Sequence, residues 1–184
     1  MLEKNIIRKK YLKIRKKNYY EIDKSFFNPF IKLIKSNFKK KKINLAIYYP
    51  SLYEVNVLKI FETKGISKHN ILLPKIEESN NMYFLEWEKN DVLNVNKYGI
   101  LEPIKSKIVS PDLMVLPLLA FDENKNRLGY GKGFYDLYLS KLLKKFNKIL
   151  TVGLAFSFQK YHKLPTSYND VKLDFILTEK GLLQ

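Results

Sequence analysis

The chain has 184 residues, of which 46% are hydrophobic and 14% aromatic, enough for a folded domain with a substantial core and too many for wholesale disorder. Cysteine is absent, which excludes disulfides, thiolate zinc sites and a cysteine nucleophile. The net charge of +16 is uneven: residues 1–42 hold 15 Lys/Arg against 3 Asp/Glu, a net of +12, which leaves only +4 for the remaining 142. A basic nucleic-acid-binding arm is one reading of this excess. A lysine-rich composition on solvated faces is the other and the favoured one, so nucleic acid is not the expected partner. The longest uncharged apolar run, Leu113 to Phe121, is nine residues, and a membrane helix needs about twenty. The N-terminal MLEKNIIRKK has no apolar segment to act as a secretory signal. A cytoplasmic monomer with no membrane partner is expected.

The first forty residues read as a basic helical pair. Ile7, Tyr11 and Ile14 follow a helical spacing, with lysine and arginine around the rest of the cylinder. Asn28-Pro29 reads as an N-cap followed by proline at the first helical position, and Phe30, Ile31, Ile34 and Phe38 form the second apolar stripe. The run KKKKIN ends that helix. From residue 43 the pattern changes: INLAIYYP is a short apolar run stopped by proline, as expected of a buried parallel strand. YEVNVLKIFETKG follows as a helix with Gly65 at its end. NILLP and NMYFLEW read as strands, and PDLMVLPLLAF as the strongest buried strand with its exit. GFYDLYLSKLLKKF is a helix with Phe134, Leu137, Tyr138 and Leu142 inward, and KILTVGLAF and VKLDFILT are the last strands. Strands apolar on both faces, alternating with helices and undivided by any linker, predict one α/β domain over residues 1–184. It is a three-layer open sheet, largely parallel, with helices on both faces.

The segment NRLGYGKGFYD, residues 126–136, follows a buried strand and a polar turn and opens a helix. Gly129, Gly131 and Gly133 remove side chains that would hold a phosphate away from the backbone. Helix N-termini at the carboxyl edge of a parallel sheet present free amides to anions. Arg127 and Lys132 supply charge, and Asp136 stands one helical turn inside. The spacing fits neither a Walker loop nor a dinucleotide fingerprint. A glycine-rich turn with no ligand remains the structural alternative.

That segment and its surroundings resemble the 5-formyltetrahydrofolate cyclo-ligase family. The match extends from PDLMVLPLLAFDENKNRLGYGKGFYDLYL into VGLAFSFQ and LPTSYNDVKLDFILTEKG, with YGILEP, YEVN and KNIIR upstream. The resemblance implies an enzyme, a ligase, that uses ATP to phosphorylate the N5-formyl oxygen of 5-formyltetrahydrofolate. N10 then closes on that carbon to give 5,10-methenyltetrahydrofolate, ADP and phosphate. It implies ATP contacts at Lys4, Arg8 and the loop Arg127, Leu128, Gly129, Tyr130, Gly131, Lys132, Gly133, Phe134 and Tyr135, with Arg127 and Lys132 catalytic. It implies substrate contacts at Tyr49, Glu54 and Tyr98, and magnesium ligands at Asp136 and Asp170. Tyr98 stands where the family usually has tryptophan, Asn56-Val57 where Asp-Thr is common, and Leu118 where glycine is frequent. Two alternatives stay open. One is a basic nucleic-acid-binding protein, the other a phosphosugar- or nucleotide-binding α/β enzyme without folate chemistry. The structural alternative for Glu54 is an early helical acid, and for Asp170 the cap of a turn, both less favoured than the site roles.

Overall fold

The structure, a computed structural model, describes residues 2–39, 41–77, 79, 81–104, 106–145 and 149–184. Lys40 in the predicted lysine run, Phe146 at the end of the predicted helix GFYDLYLSKLLKKF, and Lys148 at the start of the predicted strand KILTVGLAF lie outside them. In chain order the regular elements begin with helices α1 (Leu2–Asn18) and α2 (Asn28–Phe38) and strands β1 (Asn44–Ala46), β2 (Asn70–Ile76) and β3 (Met82–Glu86). Strands β4 (Leu93–Val95), β5 (Leu101–Pro103), β6 (Leu113–Pro117), β7 (Ala120–Phe121) and β8 (Arg127–Leu128) follow. Helix α3 (Phe134–Lys145) and strands β9 (Leu150–Leu154), β10 (Phe175–Thr178) and β11 (Gly181–Leu183) complete the order.

Seven strands form the main sheet in the order β11-β10-β9-β6-β1-β2-β3. The five central strands are parallel, and the two edges, β3 on β2 and β11 on β10, are antiparallel. Side chains of a strand alternate between faces, and here both faces are apolar. Leu45, Leu113, Val115, Val152 and Leu177 point toward α2 and the turn before it, and cluster with Phe27, Phe30, Leu33 and Ile34. Ala46, Met114, Leu116 and Ile176 point the other way, toward Leu139 and Leu142 of α3. The expected three layers are present. Burial on both sides explains why the central strands read as continuous apolar runs.

Several local expectations need correction. The predicted helix after β1 is a pair of 3-10 turns, Val57–Glu62 and Ile66–Lys68. Lys59 and Thr63 close on the carbonyls three residues back, and the Tyr48 hydroxyl takes the Val55 carbonyl, so an α-helical ladder never starts. Asn28 is already helical; the cap is made earlier by Asp23, which accepts from the Ser25 amide and opens a 3-10 turn leading into α2. Leu137 of α3 is exposed, and Leu139 takes its place in the core. Both N-terminal helices are present and pack on the domain, at different places. Helix α2 covers a sheet face, whereas α1 lies at the rim, where Ile7 and Tyr11 pack with Leu119, Ala120, Leu128 and Leu164. Its third inward residue is Arg15, at 1% exposure, in a position the sequence places among solvated cations. No helix among the described residues is long and apolar enough to cross a membrane.

Candidate active site

From β1 the chain goes to β2 on one side and later returns to β6 on the other. The strand order therefore reverses between β1 and β6, and their carboxyl ends open a crevice of the kind in which α/β proteins bind ligands. The exit of β1 supplies residues 48–54. The exit of β6 leads through Leu118 and Leu119 into the β7–β8 hairpin, which delivers the glycine segment. Asp122, fully buried, pins that hairpin: it accepts from the Asn126 amide, the Asn126 side chain and the Leu164 amide.

Gly131 (φ +102°) and Gly133 (φ +72°) adopt backbone conformations that other residues reach only with strain. The space their class of residue leaves is used by arginine. A Cβ on Gly129 would stand 3.1 Å from Arg127 Nη1, and one on Gly131 would stand 3.2 Å from Arg8 Cζ. Arg8 Nε donates to the Gly129 carbonyl at 2.9 Å. Arg127 has a side chain only 4% exposed and touches Asp136 at 2.8 Å. The atom in that contact is Nη2, facing Asp136 Oδ1; the buried Nε has no hydrogen-bond partner among the described residues. Buried guanidinium donors left over in this way are suited to a ligand's oxygens. Lys132 is exposed, with its ammonium 5.5 Å from the centre of the Tyr98 ring.

The segments that carry Asp136 and Asp170 meet, although six lysines and no acid separate the two residues in the chain. The Val171 amide, next to Asp170, donates to Asp136 Oδ1 at 3.1 Å. Each carboxylate already faces a cation of the same site, Arg127 for Asp136 and Lys4 for Asp170. Asp170 also caps its turn, accepting from the Ser167 amide. No group of three or more His, Asp or Glu suited to a metal occurs among the described residues. Two carboxylates at one rim do suit an ion that arrives with phosphates and keeps several waters.

Glu54 is buried and not helical. It closes a turn in which the Ser51 amide and hydroxyl donate to its Oε2, while the Tyr130 hydroxyl of the glycine loop donates to its Oε1. Burial raises its carboxyl above the usual range against the opposing pull of Tyr130, Arg15 and Ser51. Burial and the nearby Glu54 charge push the Tyr130 and Tyr135 phenols well up, so both remain donors at neutral pH. The turn is strained. Leu52 (φ 46°) and Tyr53 (φ 63°) are consecutive left-handed residues without being glycine, at about 1–2 kcal/mol each.

The aromatic candidates pack on different rings. Tyr98 packs on Phe134 at 5.4 Å beside the glycine loop, whereas Tyr49 packs edge-on against buried Trp87 at 6.4 Å. Sequence reasoning missed Arg15, Asp122 and Gln159. Gln159 Nε2 donates to the Leu118 and Leu119 carbonyls and fixes the exit of β6. Only Arg15 left a signal, since it extends the Ile7–Tyr11 stripe by another four residues.

A glycine loop at a helix N-terminus, set on the switch point of a parallel sheet and facing a buried carboxylate, is the arrangement of an α/β enzyme. Residues 1–179 match the model of the 5-formyltetrahydrofolate cyclo-ligase family. The chain belongs to that family. It is similar to the 5-formyltetrahydrofolate cyclo-ligase of Mycoplasma genitalium, at 33% identity over 96% of this chain and 98% of that one. It is also similar to the enzyme of that name from Haemophilus influenzae, at 33% identity over 73% of this chain and 74% of the other. The solved structure of Aquifex aeolicus 5,10-methenyltetrahydrofolate synthetase superposes with a TM-score of 0.76 at 34% identity, covering 100% of this chain and 93% of that one.

Proposed function

We propose that this chain converts 5-formyltetrahydrofolate to 5,10-methenyltetrahydrofolate with consumption of ATP. The observation that carries the reading is the meeting of two half-sites at one rim: the arginine-backed glycine loop touches the buried Glu54 turn through Tyr130. Lys4, Arg8 and the loop from Arg127 to Tyr135 surround the triphosphate, and Arg127, through the guanidinium N–H groups that do not face Asp136, donates to the transferring phosphoryl group together with Lys132. Phosphoryl transfer asks for such positioning and charge rather than a protein nucleophile. The formyl oxygen attacks the γ-phosphorus and ADP leaves. The N10 lone pair then closes on the activated carbon, N10 gives up its proton and phosphate departs.

Glu54 holds the hydrogen-bonding edge of the folate, and Tyr49 and Tyr98 offer apolar ring surface to it. Asp136 and Asp170 would hold a magnesium ion, which offsets the charge of the phosphates. The enzyme is proposed to work in the cytoplasm as a monomer. Purified protein with 5-formyltetrahydrofolate, ATP and magnesium should gain the near-ultraviolet absorbance of the methenyl product with one ADP released per turnover. No absorbance gain would overturn the reading, and salt-sensitive RNA or DNA binding in its place would restore the nucleic-acid alternative.

A further inference from the structure

Tyr130 stands between two glycines of the nucleotide loop, yet its hydroxyl turns to the other half of the site. It donates to Glu54 Oε1 and accepts from Arg15 Nη2 at 2.6 Å. Arg15 also donates to the Leu52 carbonyl at 2.7 Å and the Leu118 carbonyl at 3.2 Å. One buried guanidinium thus joins the turn after β1, the exit of β6 and the glycine loop. The turn it grips is the left-handed pair Leu52–Tyr53 that presents Glu54.

From this geometry we propose that Arg15 and Tyr130 are positioning residues that couple the two half-sites, so that a nucleotide ordering the glycine loop also sets the Glu54 carboxylate for folate. The proposal rests on the reading of Glu54 as a folate contact. Coupling of this kind is reciprocal: each ligand tightens the other by the same factor. A single charge-assisted hydrogen bond as the link sets that factor at about tenfold.

The test is calorimetric. 5-Formyltetrahydrofolate and a non-hydrolysable ATP analogue are titrated singly and together into the native protein, Tyr130→Phe, Arg15→Lys and Glu54→Gln. The native protein should bind 5-formyltetrahydrofolate about tenfold tighter when the analogue is present. In Tyr130→Phe, which keeps the ring over Arg15, that ratio should fall close to one whatever happens to the separate affinities. A merely structural role would shift melting temperature and both affinities but keep the ratio. A ratio of one in the native protein, or an unchanged ratio in Tyr130→Phe, would overturn the proposal. Arg15→Lys keeps the charge but loses the three-way fork, and should lower the ratio in part; if it fails to fold, Tyr130→Phe alone decides. If Glu54→Gln leaves 5-formyltetrahydrofolate binding unaltered, the folate assignment itself is wrong. If Glu54→Gln weakens binding while Tyr130→Phe keeps the ratio, only the coupling is wrong.

Discussion

Lys4 and Asp170, 166 residues apart in the chain, form an ion pair at the rim of the sheet. The contact fastens α1 to the turn before β10 and makes two candidate site residues each other's partners before any ligand arrives. Burial pushes the Asp170 carboxyl up, but the Lys4 ammonium and the Ser167 donors outweigh it and hold the carboxyl below its usual value.

The sign of the pH effect follows from that lowered value. The folded state resists protonation of Asp170, so the pair stabilises the fold above the unfolded pKa of about 3.9 and is lost as pH falls through the lowered folded value. Asp170→Asn should cost about 0.5–1 kcal/mol near neutral pH, as partly exposed pairs do. That is a fall of about 2–4 °C in melting temperature at most. The gap between native protein and variant should shrink as melts are repeated from pH 5 down to pH 2. A gap of constant size across that range would show that the ionised pair is not what holds α1 there.

The glycine loop separates strain from crowding. Gly133→Ala adds a Cβ with nothing within 4 Å, so its cost is the left-handed φ alone, about 1–2 kcal/mol. Gly131→Val adds a branched side chain at φ +102° against the Arg8 guanidinium. It should lose at least about tenfold in ATP affinity, the scale of one charge-assisted contact, while the protein still folds. Equilibrium binding of ATP to both variants, beside their melts, checks this. Equal affinity losses in the two would mean that Arg8 does not need the space over Gly131.

Legibility in the sequence tracks how local the determining forces are. The central strands were readable because burial on both faces makes Leu113 to Pro117 continuously apolar and leaves Thr151 as the one polar residue of Leu150 to Leu154. The glycine loop was readable because a positive φ calls for glycine. The antiparallel edges were not, since direction depends on what each strand pairs with, and β11 is only three residues long. The place of Arg15 on the Ile7–Tyr11 stripe was legible, but its role was not, for a related reason. Arg15 is one of eight Lys/Arg in α1, and its partners are a phenol and two carbonyls from distant segments, which no spacing within the helix reveals. The convergence of Asp136 and Asp170 was an expectation of the resemblance, and the fold does bring the two chain segments together.

Leu118, at a position where the resemblance led us to expect glycine, has a use in the core. Its Cδ2 fills the space over Gly153 of β9, where an added Cβ would lie 2.7 Å from it, and 2.8 Å from both Ile176 Cδ1 and Leu173 Cδ1. Gly153→Ala must therefore displace three packed side chains, an overpacking cost of about 1–3 kcal/mol. Melting should drop by about 2–4 °C for each of those kcal/mol. Adding Leu118→Ala should recover part of the loss, because these neighbours couple. If the double variant melts at the sum of the two single losses, Leu118 is not the side chain that fills the space.

Asp136 and Asp170, on segments that meet at the rim, allow a test that separates a metal role from a purely structural one. If Asp136 and Asp170 serve only to hold Arg127 and Lys4, their replacement should weaken the site with or without magnesium. If they serve an ion brought by the nucleotide, the sign splits. Without magnesium, Asp136→Asn and Asp170→Asn each remove a negative charge beside the phosphates and release a cation toward them, so ADP should bind more tightly. With magnesium, each should bind ADP more weakly, by about tenfold for the loss of one charged contact. The double variant should lose little beyond the worse single one, because residues that act through one ion are not additive. Calorimetric titration of ADP across a magnesium series measures both signs without requiring turnover. Additive losses in the double variant, with a magnesium dependence identical to that of the native protein, would show that Asp136 and Asp170 do not share an ion.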